Sequence, residues 1–368
     1  MRLMQKSAKF PRQSDRKGGT MKKVTIQDVA RELNLSRNTV ARALNNSETV
    51  AYETRYMVIE KACEMGYLKV SPSVLNEFRL HGDRGEPKTI LVIARREISV
   101  FWNSIIMGIS DLLNQNGCRL RFDFVSEEDE RKLVLPPDFR EEVDGIILIS
   151  VFSIEYLEEI LKKELPTVCL DFPASLDKTE YPVDVVVSEG MESVRAITKQ
   201  LVRQGLTRIG FVGDISYCRT IRDRYVGYTA GLAECGVKPQ EDAVATAHLP
   251  GRYYMPEDIE AYLNGLSHMP EAIVCANDAI AFLVVKALRK RGIAVPKDVA
   301  VTGFDNQEEI AKMDAFLTTV RVGNTRLGKR LACQLLFRMQ HTELPPEVVT
   351  VDTKVVYSES SEKYVDGR

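Results

Sequence analysis

The stretch from Val24 to Asn46 constrains the fold of this chain most, because it combines two short helical patterns with a break between them. In the first pattern, apolar residues recur at positions i, i+3, i+4 and i+7 and form one helical face, made of Ile26, Val29, Ala30 and Leu33. Thr25 and Asp28 fit an acidic variant of the capping box, and Ser36 can cap the second helix. The sequence therefore predicts two helices joined by a tight turn.

The second helix has an apolar and a polar side. Its apolar side is formed by Val40, Ala43 and Leu44. Its polar side carries three residues whose side chains can pair with guanine and adenine edges, Arg37, Asn38 and Arg42. A helical hairpin of this kind also occurs in proteins that never touch DNA, but the pattern favours a helix-turn-helix reading head.

A third helix is predicted from Glu53 to Tyr67. The residues available for packing it against the first two helices are Met57 or Val58, Ile59, Ala62 and Cys63. Residues 21–67 then close as a compact three-helix unit, and a unit this small is a module of a larger protein. The third helix strengthens the interpretation of this region as a DNA-binding head.

The charge of the head bears on how it would bind DNA. The whole chain of 368 residues has a formal net charge of −2 and hence no bulk attraction for nucleic acid. Residues 21–80 hold nine basic and seven acidic side chains, a balance of +2. Because this footprint is weak, tight binding would need two heads on one DNA site.

Cysteine and histidine usage limits the other functional classes. The seven cysteines are scattered and form no CxxC pair, which is typical of packed thiols in a reducing cytoplasm rather than of disulfides or a zinc site. The four histidines stand apart, so we expect no metal site, and we expect no cofactor. No apolar run approaches the roughly 18 residues of a membrane span. We therefore expect a cytoplasmic protein with no membrane partner.

Residues 1–20 contain six basic residues and one acid, without periodicity and without the apolar segment of a secretory signal. Two interpretations stay open. The segment is either a disordered basic arm that lies on DNA phosphates, or it precedes a true translation start at Met21.

Beyond Tyr67 the composition changes twice. Residues 68–88 are rich in Ser, Pro, Gly and charge, which is typical of a linker. From Thr89 onward, short apolar segments alternate with helical patterns, as in "TILVIA", "RLRFDFV", "VDGIILIS", "PTVCLDF" and "VDVVVS", and then in "RIGFVG", "AIVCAND" and "VAVTGFD". Helices are predicted at 101–114, 220–235, 256–267 and 278–291. This alternation predicts an α/β core of parallel sheets in two similar subdomains.

The core lacks the glycine-rich loops of nucleotide-binding enzymes. GxGxxG does not occur in the chain, and the GxxxxGK match at residues 323–329 is followed by Arg330 instead of the Ser or Thr of a phosphate loop. No complete motif is therefore present, which argues against an NTPase or a dinucleotide-dependent enzyme. We also find no nucleophile–base pattern, so no catalytic residue is predicted.

Several motifs in one order resemble the lactose-repressor (LacI/GalR) family of bacterial transcription factors. They are "VTIQDVARELNLSRNTVARALN", "RDRYVGY", "CAND", "VAVTGFDN", "LTTVR" and the closing "PPEVVTVDTKVVYSES". The resemblance covers residues 23 to about 358. It implies a three-helix head followed by a periplasmic-binding-protein-like (type I) core, with two subdomains, three chain crossings and a small-molecule cleft between them.

The resemblance also implies roles in DNA binding. Arg37 and Asn38 occupy the specificity positions of the recognition helix, and Arg42 matches a third base contact. The positions that match phosphate or sugar contacts are Thr25, Ser36, Thr39, Asn45 and Tyr67.

In the cleft, the resemblance assigns Arg224 to grip ligand hydroxyls and Asp305 to accept hydrogen bonds from them. Further cleft positions are Phe101, Trp102, Asp171, Asn277 and Asp278. Five of these residues have a structural alternative: Asn277 and Asp278 can cap a helix, Arg224 can form an ion pair, Trp102 can pack in the core, and Asp171 can lie in a strand-end turn.

The chain departs from the family pattern in the hinge and after the first core strand. Lys69 and Val70 replace Pro-Asn, with Pro72 later, and Asn76 falls where a leucine normally wedges into the minor groove, although Leu75 is adjacent. The serine that normally caps the third helix is replaced by Ala51. We therefore expect this linker to bend DNA less than the family pattern implies.

Arg95 and Arg96 stand where small or acidic residues are usual, which predicts an anionic effector if Arg95 points inward. The alternative is that one of them pairs with Glu97 or another acid.

These observations predict a homodimeric repressor that reads a pseudo-palindromic operator and binds a sugar-like effector. The expected organisation is a basic extension (1–20), a DNA-binding domain (21–70), a linker (71–87), an effector-binding core (88–358) and a tail (359–368). The competing hypothesis is an α/β enzyme that acts on a small sugar-like substrate and carries an accessory head.

Overall fold

In a computed structural model, the chain is described over residues 24–45, 49–65, 67, 87–96, 100–140, 143–177, 180–250, 252–306 and 317–362. These residues fall into two compact units, one within residues 1–84 and one within 85–368. We refer to them as the head and the core. The hinge positions 69–76 and the terminal segments 1–20 and 363–368 lie outside the described residues, so the expectations about them remain predictions.

The head consists of three helices, α1 (Ile26–Glu32), α2 (Arg37–Leu44) and α3 (Tyr52–Glu64). Their shared core includes the fully buried side chains of Val29, Val40, Val58 and Ala62. Of the two candidates for packing on α3, Val58 lies inside, whereas Met57 is 46% exposed. Cys63, the other expected packing residue, has a side chain outside the described set.

The first sheet of the core is parallel and has the strand order β11-β5-β4-β3-β1-β2. Its strands are β1 (Thr89–Arg95), β2 (Arg119–Val125), β3 (Gly145–Leu148), β4 (Thr167–Leu170), β5 (Asp184–Ser188) and β11 (Val348–Val351). Its helices are α4 (Val100–Gln115), α5 (Glu127–Arg131), α6 (Ile154–Leu161) and α11 (Asn324–Gln340).

The second sheet is also parallel, in the order β7-β6-β8-β9. Its strands are β6 (Ile209–Val212), β7 (Val244–Ala245), β8 (Ala272–Cys275) and β9 (Ala300–Thr302). The helices between and beside them are α7 (Met191–Arg203), α8 (Arg219–Glu234), α9 (Pro256–Gly265) and α10 (Asp278–Lys290). Helix and strand alternate as predicted, because near-continuous apolar strands are buried on both faces by helices.

The chain passes between the two sheets three times. It leaves the first sheet after β5, returns to it after β10 (Thr319–Arg321), and leaves it again after β11 to form β12 (Lys354–Val356). Strands β10 and β12 pair antiparallel. These crossings give the two-subdomain architecture that the family resemblance implies.

Glycines permit close helix packing within the core. An added Cβ at Gly108 in α4 would lie 2.1 Å from the backbone oxygen of Thr325, and one at Gly328 in α11 would lie 2.0 Å from that of Ile105. The two helices therefore pack backbone to backbone, a contact that any larger residue at either glycine would prevent. Over the described residues, no helix is both long and apolar enough to span a membrane.

Candidate functional sites

The recognition helix α2 presents its first turn to solvent. The Ser36 Oγ accepts a hydrogen bond of 3.0 Å from the Thr39 backbone N–H and so caps the helix. Arg37 and Asn38 are exposed, whereas Val40 on the opposite side is fully buried. Burial of the apolar side thus fixes which side chains point outward, and the two predicted specificity positions are among them.

Arg42 is exposed on the same helix, but its Nη2 donates a hydrogen bond to the Thr49 hydroxyl. Contact with a base therefore has to use its other nitrogens or replace this bond. Asn45 is the exposed C-cap of α2.

The predicted phosphate-contacting residues differ in how far their polar groups are already used. The Thr25 hydroxyl donates to Asp28 Oδ2 at 2.6 Å, and the Thr25 backbone N–H donates to the same oxygen at 2.9 Å. The hydroxyls of Ser36 and Thr39 lie 2.8 Å apart. Tyr67 packs against the head core, and its N–H donates to the Ala62 carbonyl oxygen at 2.8 Å. Thr25 therefore acts first as a helix cap.

In the core, the predicted cleft residues follow the carboxyl ends of parallel strands. Arg95 ends β1, Asp171 follows β4, Asn277 follows β8, and Asp305 lies three residues after β9. Ligands of open α/β sheets bind in the crevice at this edge. The topology therefore collects polar side chains from both sheets at one place.

Arg224, on α8, is the most enclosed cation of this group, with 6% of its surface exposed. Its Nη1 donates to the Ala276 carbonyl oxygen at 2.6 Å, its Nη2 lies 3.5 Å from Asp305 Oδ1, and its Cζ lies 3.6 Å from the centroid of the Phe304 ring. Its buried Nε has no hydrogen-bond partner among the described residues. Within the described residues, the Nε–H of Arg224 is therefore a buried donor without an acceptor.

The rest of the "RDRYVGY" motif positions this arginine. An added Cβ at Gly227 would lie 2.1 Å from the Met191 backbone oxygen, so α8 and α7 can approach only with glycine there. The Tyr228 hydroxyl, fully buried, donates to the Ile209 carbonyl oxygen of β6 at 2.7 Å. On the other side, Gly190 leaves room for the Arg224 stem, since an added Cβ would lie 2.9 Å from Arg224 Cγ.

Asp171 is buried and already engaged. Its Oδ2 accepts from the Thr220 hydroxyl at 2.5 Å and from the Thr220 N–H at 3.3 Å, and its Oδ1 accepts from the Phe172 N–H at 2.8 Å. Burial raises the pKa of this carboxyl above its ordinary value, although these hydrogen bonds oppose the rise. Asp171 thus ties the end of β4 to the first turn of α8.

Asn277 and Asp278 are each predicted as a helix cap or as a cleft residue, and the two differ in what they contact. The Asn277 Oδ1 caps α10 by accepting from the Ile280 N–H at 3.0 Å, while its Nδ2 donates to the Tyr254 hydroxyl at 2.6 Å. Asp278 is only 2% exposed, and its Oδ1 accepts from the Thr319 hydroxyl at 2.6 Å. Asn277 is a cap that also reaches the cleft, whereas Asp278 links α10 to β10.

Arg95 is paired with an acid, which is the alternative that the sequence left open for this residue. Its Nη2 lies 2.6 Å from Glu130 Oε2, and both side chains are largely buried. Its Nε donates to the Val151 carbonyl oxygen at 3.2 Å, and its Cζ lies 5.6 Å from the centroid of the Phe152 ring. The acid that neutralises Arg95 is Glu130 rather than Glu97, which lies outside the described residues.

Trp102 is partly buried in the first turn of α4 and packs against the main hydrophobic core. The adjacent Phe101 belongs to the same turn, but its side chain is outside the described set. The effector roles of both residues remain predictions.

Sequence reasoning missed the aromatic and basic residues of two loops. The Arg252 Cζ lies 4.2 Å from the centroid of the Tyr217 ring, and Tyr254 contacts Asn277 through its hydroxyl. Burial raises the pKa of the Tyr217 hydroxyl to about 12. The run "GRYYM" contains aromatic residues next to a cation, but no periodicity or spacing marks it as part of a site.

Left-handed backbone conformations concentrate near this cleft. Positive φ angles occur at Asp171 (63°), Arg252 (47°), Tyr253 (66°), Asp305 (104°) and Asn306 (49°). Such conformations cost about 1–3 kcal/mol each for residues with a Cβ and are typical of ligand-binding sites. The strain therefore supports a binding role for these strand-end loops.

Comparison with known proteins agrees with this geometry. Residues 25–69 match the family model of bacterial regulatory proteins of the lacI family, and residues 198–361 match that of a periplasmic binding protein-like domain. The HTH-type transcriptional repressor PurR of Glaesserella parasuis serovar 5 (strain SH0165) is 28% identical over 346 residues, which cover 91% of this chain and 96% of that repressor.

Solved structures share the fold at lower identity. A complex of the transcriptional regulator CelR with cellobiose has a TM-score of 0.64 at 21% identity and covers 92% of this chain and 100% of its own. The lac repressor dimer bound to operator and the anti-inducer ONPF has a TM-score of 0.62 at 20% identity, covering 92% of this chain and 99% of its own.

The curated relative is a transcriptional repressor, which speaks against the enzyme hypothesis. Its similarity extends over head and core together, so it reflects the whole architecture rather than one module. This chain belongs to the lacI family of bacterial regulatory proteins and is a DNA-binding transcriptional regulator.

Proposed function

We propose that this regulator is a repressor whose affinity for operator DNA is controlled by a sugar-like effector bound between the two sheets of the core. The observation that carries the proposal is the environment of Arg224, which is buried beside Asp305 and whose Nε has no hydrogen-bond partner among the described residues. A buried donor without an acceptor costs about 1–3 kcal/mol. A ligand oxygen at this place removes that cost, so the site favours a bound effector.

The chemistry of the pair favours vicinal hydroxyls. A guanidinium donates and a carboxylate accepts, and adjacent hydroxyls of a sugar can satisfy both at once. The cellobiose bound by one structural relative supports this class of ligand. Asn277 and Tyr254 are placed to extend the contacts, whereas Asp171 and Asp278 act through the loops that they hold.

On the DNA side, Arg37 and Asn38 read bases. Arg42 makes a third base contact, for which it gives up its hydrogen bond to the Thr49 hydroxyl. The sugar-phosphate backbone of the DNA is contacted by Thr25, Ser36, Thr39, Asn45 and Tyr67. Two heads of a homodimer read the two halves of a pseudo-palindromic operator, as the weak charge of one head requires. The operator-bound lac repressor dimer supports this arrangement. The head spans 21–70, the linker 71–87 and the core 88–358.

Operator binding can be tested on selected DNA. The operator is obtained by selection from random duplexes, and the dissociation constants for this operator and for scrambled DNA are measured by fluorescence anisotropy at fixed salt. Arg37→Ala should reduce the preference for the operator by about 1–3 kcal/mol, whereas Arg31→Ala, which replaces an exposed arginine on α1, should leave that preference intact. Equal losses on both DNAs for Arg37→Ala would contradict base reading.

Effector control is tested with a metabolite panel. A thermal-shift screen on the full chain identifies a ligand, and anisotropy then measures operator affinity with and without it. Saturable binding that changes operator affinity supports the proposal. Turnover of the ligand, or binding that leaves operator affinity unchanged, would contradict it.

A further inference from the structure

Arg252 stands out among the cations of the cleft because no carboxylate among the described residues pairs with it. It is partly buried, and its guanidinium lies flat on Tyr217, with 4.2 Å between Cζ and the ring centroid. Its Nε is buried and has no hydrogen-bond partner in the described part of the chain. Burying a cation is costly unless an anion compensates it.

The neighbouring carboxylates are occupied by other groups. Glu130 pairs with Arg95, and Asp305 faces Arg224. Asp214, buried at the end of β6, accepts from the Ser216 hydroxyl at 2.5 Å and lies 2.8 Å from His248 Nδ1. Within the described ranges, no carboxylate forms an ion pair with Arg252.

Tyr217 places Arg252 at the ligand cleft. Its phenol experiences the charges of Arg252, Arg95 and Asp171, so these groups share one region. Tyr254 lies two residues after Arg252, and its hydroxyl accepts a hydrogen bond from Asn277. The segment 252–254 therefore lies over the carboxyl ends of β6 and β8, where Arg224 and Asp305 also meet.

The backbone holds this segment in an unfavourable conformation. Arg252 and the buried Tyr253 are consecutive left-handed residues, with φ angles of 47° and 66°. The Arg252 N–H donates to the Leu249 carbonyl oxygen at 2.9 Å, and the Tyr253 N–H donates to Asp258 Oδ2 at 3.2 Å. The guanidinium is therefore presented by a fixed loop rather than by a flexible one, which is what an anion-binding group requires.

We propose that the effector carries an anionic group, a carboxylate or a phosphate, and that Arg252 stacked on Tyr217 binds it. The inference rests on the proposed function, in which the same cleft binds the effector. Arg224 and Asp305 hold the hydroxyls, and Arg252 selects the charged form. The charge expected from the sequence at Arg95 is thus supplied by another residue, from the opposite sheet.

The test uses inorganic phosphate as the probe for the anion subsite. Isothermal titration calorimetry on the full chain compares wild type with Arg252→Ala, Arg252→Lys and Arg203→Ala, the last being an exposed arginine at the end of α7. Wild type and Arg203→Ala should bind phosphate saturably and equally. Arg252→Ala should bind it about tenfold or more weakly, and Arg252→Lys should lie between, because a lysine keeps the charge but loses the planar fork.

Wild type that binds no phosphate, or an Arg252→Ala variant that binds it as wild type does, would overturn the inference. Thermal unfolding without phosphate checks that each variant is folded. Failure of the proposed function is distinguishable, because phosphate binding would then still depend on Arg252 while no ligand changed operator affinity.

Discussion

The head and the core use polar side chains in opposite ways. In the head, the side chains of Arg37 and Asn38 are exposed to solvent. They point outward because Val40, on the other side of the helix, is buried. In the core, Arg224 and Asp171 are buried, and each has hydrogen bonds that also hold the fold. A reading surface can thus change without loss of stability, whereas a cleft residue couples binding to folding.

The largest expected effect concerns the buried ion pair that anchors α11 to the first sheet. Arg338 donates to Asp184 and to the carbonyl oxygens of His341, Leu344 and Pro345. Arg338→Ala leaves the buried Asp184 without its cationic partner, so it should lower the free energy of unfolding by about 3–5 kcal/mol.

Denaturant unfolding followed by the fluorescence of Trp102, the only tryptophan, measures this change in the core. The matched control is Arg195→Ala, which removes partly exposed ion pairs to Glu192 and Glu234 and should destabilise the core much less, because water screens these charges. Similar losses in the two variants would contradict the distinction between buried and exposed charges in the core.

Arg224→Ala should weaken effector binding by about 1.5–3 kcal/mol, since it removes charge-assisted hydrogen bonds. Operator affinity without effector should stay as in wild type, because the head is unchanged. Calorimetry on the ligand found in the screen measures the first quantity, and anisotropy measures the second. An Arg224→Ala variant with undiminished ligand affinity would remove Arg224 from the site.

Arg37→Ala should cost about 1–3 kcal/mol of affinity for the preferred operator. The free energy of unfolding should change by no more than about 0.5 kcal/mol, as is usual for an exposed side chain. Anisotropy and the hydrogen exchange of α1 and α3 amides test the two statements. A clear loss of exchange protection in Arg37→Ala would show that a residue of the head that binds the operator also stabilises the fold.

The smallest effect is expected for the cap of α1. Thr25→Ala removes the side-chain acceptor of the Asp28 N–H and should destabilise the head by about 0.5–2 kcal/mol. Thr25→Ser keeps the hydroxyl and serves as the control. If Thr25→Ala weakens operator binding with no change in amide exchange of α1, Thr25 is a phosphate contact first and a cap second.

Local patterns in the sequence predict local structure well. The caps at Thr25 and Ser36, the helices after β6 and β8 and most parallel strands follow from periodicity and capping chemistry, which act over a few residues. The role of Asn277 as a cap could be anticipated for the same reason.

Long-range partners could not be predicted in this way. Glu130, which neutralises Arg95, is 35 positions away in the sequence. Arg252 stacks on Tyr217, and the whole of helix α8 lies between these two residues in the sequence. Strand β11 joins β5 from the far end of the chain. These contacts depend on how the loops and sheets meet in space, and no spacing in the sequence encodes that arrangement.

The central claim is that effector binding in the core and operator binding by the head are coupled. The most direct measurement is a pair of ratios on the full wild-type chain: the operator dissociation constant with and without effector, and the effector dissociation constant with and without operator. Linkage requires the two ratios to be equal. We expect both to differ from one by the same factor of roughly 5 to 150, as is typical of allosteric coupling. Two ratios of one would contradict the account, because head and core would then bind their ligands independently.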